Sequence, residues 1–357
     1  MRKPTNVNST SKPIQKTVVS PEESWEISLR PKKLSEYIGQ SEIKDNLNVF
    51  IQAAKKRQDA LDHMLLVGPP GLGKTTLATV IANEMDCNIT ISAGTALQKP
   101  ADIISLLSTT KPNTVIFIDE IHRLKLPLEE MLYTAMEDFR LDITVGKGHT
   151  SEAISLPLPP FTLIGATTRS GDLSAPLRHR FGETLRLQFY TVAELGQIVV
   201  RTAQLLGLVI DYKTAQIIGK RSRGTPRIAN RLLKRIRDFA NIAEIETINE
   251  PFVQDCLARL GINEYGLDNN DMMLLNTLAE KFQGRAIGIK TLASACNETE
   301  ETILNVYEPY LVQEGLIERT PQGRKATIKT FSILGLPLPQ SESEAGSSAV
   351  EKLFDTP

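Results

Sequence analysis

Apolar residues along the chain form two kinds of run. Some are short and continuous: HMLLVG at 63–68, NTVIFIDE at 113–120 and FTLIGATT at 161–168. Continuous apolar runs of this length read as strands buried on both faces. Between them lie TTLATVIANEM (75–85) and PLEEMLYTAMED (127–138), the second with a proline in its first turn. Their apolar positions recur three and four apart, which gathers them on one face of a helix. Buried strands alternating with such helices predict an α/β unit over 25–190, a parallel sheet with helices on both faces. Within it LDITVGKGHTSEAISLPL (141–158) alternates with period two around a Gly/His/Ser turn and predicts a projecting hairpin.

After Tyr190 the strand pattern stops, and residues 191–262 read as helices only, among them TVAELGQIVVRTAQLLG and GTPRIANRLLKRIRDFANI. A further unit, 263–335, runs DMMLLNTLAEKF, IGIKTLASACN, ETEETILNVYEPYLVQEGLI and then ERTPQGRKATI. Three short helices followed by a hairpin, its turn marked by Pro321 and Gly323, outline a winged helix. The Ser/Thr/Asn/Pro/Lys-rich start (1–24) and the Ser/Glu/Pro-rich end (336–357) have little to bury, and are expected to be a flexible arm and a disordered tail.

Charge narrows the partners. Lys and Arg number 41 against 42 Asp and Glu, a formal charge of −1. No global basic field exists, so any contact with a polyanion must use a local patch. Cys87, Cys256 and Cys296 lie far apart without metal-type spacing and read as buried or inert thiols of a reducing compartment. With no run that would span a membrane and no apolar core of a signal peptide, a cytoplasmic protein is expected.

The strongest chemical signal is GPPGLGKT, Gly68 to Thr75, which fits G-x-x-x-x-G-K-[ST] with a strand before it and a helix after it. Gly71 and Gly73 let the backbone bend closely around phosphates. Successive N–H groups then point inward as an anion nest at the positive end of a helix. Lys74 can reach the β- and γ-phosphates of ATP, and the Thr75 hydroxyl can ligate Mg²⁺. Asp119 ends the next buried strand, where a carboxylate can hold a water of that Mg²⁺ opposite Thr75. Glu120 is placed to orient or deprotonate an attacking water, a group that a protein merely binding nucleotide would not need. His122 is either a coupling residue or surface, with no catalytic role. On the third strand Thr167 or Thr168 can bond the γ-phosphate or the water.

Two arginine groups follow. APLRHRFGE (175–183) sets Arg178 and Arg180 about His179; an intramolecular salt bridge and a nucleotide phosphate are both open as the anion. Arg319 and Arg324 flank the turn of the second hairpin, with Lys325 and Lys329 after it. Such a wing can track DNA phosphates without reading bases, or carry merely solvated charges.

LRPKKLSEYIGQ, GPPGLGKTTLA, FIDEIHRL, EDFRLDITVGKG, PPFTLIGATTR, KRSRGTPRIANRLL, VYEPYL and RTPQGR, spread over Leu29 to Ile328, together resemble the RuvB family. These are hexameric AAA+ motors of Holliday-junction branch migration. The resemblance implies an α/β AAA+ P-loop ATPase followed by an all-helical lid and a C-terminal winged helix. It implies an ATP-hydrolysing DNA helicase acting at four-way junctions in recombination, DNA repair and the SOS response, with the RuvA tetramer and the RuvC resolvase as partners. Leu29, Arg30 and Tyr190 would line the adenine side, Thr76 would join the phosphate loop, and Glu137, Asp138 and Phe139 would border the nucleotide. Arg227 matches the second sensor, although membership of a basic helix face with Arg231, Lys234 and Arg235 is also open. Arg180 aligns with the arginine finger that completes a neighbour's ATP site, and Arg178 would brace the turn. The 141–158 hairpin would meet RuvA through Leu141, Ile143 and Val145, unless these pack on their own domain. Arg319 and Arg324 would contact the DNA backbone. Glu300 and Glu301 stand where many relatives carry a basic residue, which points DNA contact to the wing. The rival readings are a protein-remodelling AAA+ ATPase such as a clamp loader, and a nucleotide-gated DNA-binding regulator.

Overall fold

The computed structural model describes residues 28–145 and 152–338. The arm at 1–24 and all of the tail but its first three residues lie outside them.

A helix, α1 (Ser41–Arg57), precedes the α/β unit. That unit runs β1 (Met64–Val67), α2 (Lys74–Glu84), β2 (Ile89–Ala93), α3 (Pro100–Ser108), β3 (Thr114–Asp119) and α4 (Leu126–Asp138). It continues with β4 (Arg140–Val145), β5 (Glu152–Pro157), β6 (Phe161–Thr167), α5 (Ala175–Arg180) and β7 (Glu183–Arg186). Five of these strands form one parallel sheet in the order β2-β3-β6-β1-β7. The three strands expected from apolar runs are the central ones, and β1 and β6 are buried throughout. The two edge strands, β2 and β7, escape a pattern search because they are half wet. Only Leu185 is buried in β7, and β2 shows exposed Thr90 and Ile91. The hairpin forms as expected, with Leu141 opposite Leu156 and Ile143 opposite Ile154. Its turn lies outside the described residues.

Four helices follow: α6 (Val192–Leu205), α7 (Tyr212–Lys220), α8 (Pro226–Ile242) and α9 (Glu250–Arg259). The all-helical expectation is corrected by one small feature. Residues Val209–Ile210 (β8) and Thr247–Ile248 (β9) form a two-residue parallel bridge tying the ends of α6 and α8. The apolar face of α8 (Leu232, Leu233, Ile236) packs with Leu195 and Ile218 into a core continuous with Leu77, Ile81 and Phe117 on one face of the sheet. The opposite face is a separate cluster beneath α4 and α5.

The last unit contains α10 (Asn269–Asn276), α11 (Ile289–Ala295), α12 (Glu300–Thr302), a π-helical turn over Ile303–Tyr307, and α13 (Glu308–Gln313). A hairpin of β10 (Ile317–Thr320) and β11 (Gly323–Ala326) follows, then α14 (Ile328–Leu334). Ile287 bridges Arg324 as a third strand stub. A Cβ on Gly323 would lie 2.1 Å from the Ile287 carbonyl, so only glycine permits that approach. The winged helix has a core of its own around Leu275, Leu292, Leu311 and Phe331.

Candidate nucleotide site

Parallel strands deliver their C-terminal ends to one edge of the sheet, and there the site assembles. After β1 the chain turns through Gly71 (φ 83°) and Gly73 (φ 94°) into α2. A Cβ on Gly71 would come within 3.2 Å of Arg227, and one on Gly73 within 3.1 Å of the Tyr37 hydroxyl. The loop is thus bare of side chains where phosphates would lie, which fits the nucleotide. Lys74 is 7% exposed and its Nζ donates to the carbonyls of Gly68 (2.8 Å) and Pro69 (3.0 Å). Burial lowers its pKa, while Asp119 and Glu120 act to raise it, which places both carboxylates before the ammonium. Thr75 and Thr76 lie in the first turn of α2.

Glu120, in the left-handed region at φ 48°, turns the chain off β3. Its Oε2 lies 3.4 Å from the Thr168 hydroxyl and 3.3 Å from His122 Nε2. His122 Nδ1 is 2.9 Å from the Thr167 hydroxyl, which also accepts the Arg169 N–H at 2.9 Å. Burial lowers the His122 pKa, partly opposed by Glu120 and Asp172, so the ring is neutral. Because a carboxylate only accepts, Nε2–H faces Glu120 and Nδ1 accepts from Thr167. His122 is half-buried, with its side chain 7% exposed, and holds Glu120 beside Thr168 at the end of β6. Its surface alternative is excluded. The sequence signal was its place two residues after Glu120, where a short turn returns the ring beneath it.

Beside the loop lies a pocket of about 80 Å³ lined by Leu29, Arg30, Tyr37, Thr76, Tyr190 and Ile198. Leu29, Arg30 and Tyr190 meet as expected, and Tyr37 is the residue sequence reading missed. The Tyr190 hydroxyl lies 3.1 Å from that of Tyr37 and 3.3 Å from the Leu72 carbonyl, clamping the loop from below. Arg227 starts α8 beside the loop, its N–H donating to the Gly71 carbonyl at 3.4 Å. A cleft of about 620 Å³ bordered by Pro69, Gly71, Arg227, Arg231, Asn305 and Tyr307 opens there. Arg231, Lys234 and Arg235 of the same helix line this cleft with Arg227, and it is the Arg227 backbone N–H that bonds the loop. Among the described residues no cluster of three His, Cys, Asp or Glu could hold a metal, so Thr75 and Asp119 would share an ion with phosphate oxygens and water.

Four expected site residues are not brought to this edge. Arg180, Glu137, Asp138 and Phe139 lie at the opposite, N-terminal edge of the sheet. There Gly182 donates to the His63 carbonyl just before β1, and the Phe139 ring meets Phe161 edge-on at 5.7 Å. Glu137, Asp138 and Phe139 therefore do not border the nucleotide of their own chain, because α4 runs away from Glu120. Arg180 pairs with Glu137 (3.0 Å) and lies 4.7 Å over the Tyr133 ring, yet its Nε is buried without a partner among the described residues. Arg178 is exposed and makes no ion pair with the described residues, so it does not brace the turn. On the hairpin, Leu141 is fully buried in its own domain and Ile143 half-buried, whereas Ile154 is 49% exposed. The Val145 side chain lies outside what is described.

Arg319 and Arg324 face each other across the wing hairpin. Both bond the carboxylate of Glu308, which is fully buried; Arg324 Nε lies 3.1 Å from it, and Arg319 makes a shorter contact. Glu301, at the start of the third helix, pairs with Arg123 of the ATPase unit. Among the described residues no helix is long and apolar enough to cross a membrane.

Three family models cover this architecture: Holliday junction DNA helicase RuvB P-loop domain over residues 29–187, RuvB AAA lid domain over 190–263 and RuvB C-terminal winged helix domain over 264–335. The Holliday junction branch migration complex subunit RuvB of Staphylococcus saprophyticus is 55% identical over 310 residues, 87% of this chain and 93% of its own. That of Lactiplantibacillus plantarum is 53% identical over 321 residues, 90% and 96% of the two chains. The solved Thermotoga maritima RuvB Holliday junction branch migration motor superposes with a TM-score of 0.80 at 46% identity, over 87% of this chain and all of that one. With phosphate loop, lid and winged helix in the same order and at these identities, the chain belongs to the RuvB family.

Proposed function

We propose that this chain is an ATP-hydrolysing motor that drives branch migration of Holliday junctions, working as a ring of six copies on duplex DNA with a RuvA-type junction-binding partner and a RuvC-type resolvase. The observation that carries this reading is the meeting of Lys74 at the start of α2, Glu120 and Thr168 at strand ends, and Arg227 from the lid around one phosphate loop. Lys74 leaves the carbonyls of Gly68 and Pro69 to bind the β- and γ-phosphates. Thr75 and Asp119 would hold Mg²⁺, which when bound would supply charge neutralisation at the phosphate oxygens. Glu120, aimed by His122 and Thr168, orients the attacking water, and loss of the γ-phosphate releases Arg227 and shifts the lid.

In a ring, Arg180 serves the ATP of the adjacent copy as its finger, with Glu137, Asp138 and Phe139 alongside. Ile154, exposed on the hairpin, is the apolar contact offered to the RuvA-type partner. The domains run 25–190, 191–262 and 263–335, and the motor acts in the cytoplasm. On the wing Glu308 holds two guanidinium groups side by side, a fork suited to the DNA backbone.

The test is strand exchange of a synthetic four-way junction with ATP, with and without RuvA. ATP-dependent exchange stimulated by RuvA is expected; turnover without exchange would favour a remodelling ATPase. Replacing Arg319 and Arg324 by Ala should weaken DNA binding and lower its salt slope by roughly one per lost phosphate contact.

A further inference from the structure

The three units are not joined alike. Lid and ATPase unit share an apolar core, whereas the winged helix has its own. Charge carries its attachment to the lid. Arg223, 8% exposed, reaches out of the turn before α8. Its Nε donates to the Gly266 carbonyl (3.0 Å), and its two terminal nitrogens reach Asp268 (2.7 Å) and Asp271 (3.3 Å). The guanidinium also lies 5.7 Å over the Tyr310 ring, whose hydroxyl donates to the Tyr265 carbonyl at 2.8 Å. Asp268 and Asp271 form the capping box at the start of α10, so the arginine is plugged into the first turn of the winged helix.

Backbones meet closely at the same place. A Cβ on Gly266 would lie 2.9 Å from the Arg221 carbonyl, and one on Gly224 would lie 2.9 Å from the Phe189 ring. Burial lifts Asp271 to about 6, while on Asp268 burial is outweighed by the Asp271 N–H and by Arg223, which hold it low. Five residues, 223 to 227, thus grip the winged helix at one end and the Gly71 carbonyl of the phosphate loop at the other.

The contacts from winged helix to ATPase unit differ in kind. Arg123 pairs with Glu301 on exposed side chains, and the exposed Arg169 donates to the half-buried Asn305 at 3.0 Å. Exposed pairs of this sort hold weakly and are readily exchanged for water. Both arginines nonetheless sit beside the chemistry, one after His122 and the other after Thr168.

We infer that Arg223 is the coupling residue of the motor: it makes lid and winged helix one rigid lever, so that movement imposed on Arg227 at the phosphate loop reaches the DNA-contacting hairpin undiminished. The Arg123–Glu301 and Arg169–Asn305 contacts are the ones that open and close as the lever swings. This rests on the branch-migration reading, and the experiment separates the two.

Nitroxide labels at Gln58, Lys213 and Lys290 place one probe on each unit of the full-length protein. Between the ATP and ADP states the Gln58–Lys290 distance should change while Lys213–Lys290 stays fixed. An Lys213–Lys290 distance that moves as far as Gln58–Lys290 overturns the rigid lever, whatever the reaction proves to be. Arg223→Gln should keep ATP turnover, broaden the Lys213–Lys290 distribution and lower the junctions migrated per ATP; an unchanged yield per ATP would refute the coupling role. If the two stranded carboxylates unfold that variant, Arg223→Gln with Asp271→Asn removes one charge and carries the same test. Arg223→Lys, which keeps the charge without the fork, should fall between. Absence of junction migration by the wild-type protein would sink the functional reading alone and leave the distance result standing.

Discussion

The two edges of the central sheet differ in how complete they are. At the C-terminal edge the groups around the phosphate loop find partners within the chain: Lys74 on loop carbonyls, Glu120 on His122 and Thr168, the Arg227 N–H on the Gly71 carbonyl. At the N-terminal edge Arg180 is held by Glu137 and Tyr133 with a buried Nε left over. A β-strand rises about 3.3 Å per residue, so even the four residues of β1 keep the edges on the order of 13 Å apart. Arg180 cannot bend back to its own phosphate loop. On the proposed reading Arg180 completes the site of an adjacent copy, and turnover would then require at least two copies in register.

The sharpest way to break this contrast is Arg180→Ala. Turnover should fall by about 10³–10⁵ with ATP binding kept, as for other arginine fingers. Mixing with Lys74→Ala copies should restore part of it, since each mutant supplies what the other lacks; steady-state ATPase assays of the mixtures decide. Normal turnover by Arg180→Ala alone would erase the distinction between the edges. Glu120→Gln should cost about 10²–10⁴ in kcat with nucleotide affinity unchanged, and no mixture should rescue the defective site itself.

His122→Ala comes next. Freed from Nε2, Glu120 swings away from the water, and kcat should drop by up to about 10²-fold while KM stays put. His122→Asn, which can still donate to the carboxylate, should recover part of the loss. The smallest effect belongs to Glu137→Gln. The Arg180–Glu137 pair is partly exposed, so thermal unfolding should reveal about 0–1 kcal/mol. A larger loss would make Arg180 a structural residue.

Much of this site was legible beforehand, and the exceptions have physical causes. The phosphate loop, Asp119, Glu120 and Thr168 sit at the ends of strands whose apolar runs are unmistakable, so their placement follows from local geometry. Residues β2 and β7 contribute to the sheet were missed because edge strands need only one dry face. Glu137 to Phe139 were expected near the nucleotide, but helix α4 travels the full height of the sheet before reaching them. The wing arginines were read as DNA-backbone contacts, with solvated charge as the alternative, and neither reading foresaw Glu308, which is buried, neutralises part of their charge and aims both.

The sequence by itself determined the chemistry: a glycine-bare loop, a lysine, two acids and a threonine in that order, each fixed by neighbours a few residues away. Tertiary structure alone decided who touches whom across the units. His122 against Thr167, Arg223 between two aspartates of the winged helix, and Arg180 stranded at the far edge depend on segments distant along the chain. Burial is what gives those contacts their weight, because a charge removed from water must find its partner inside the fold, and no local pattern of residues says which partner that will be.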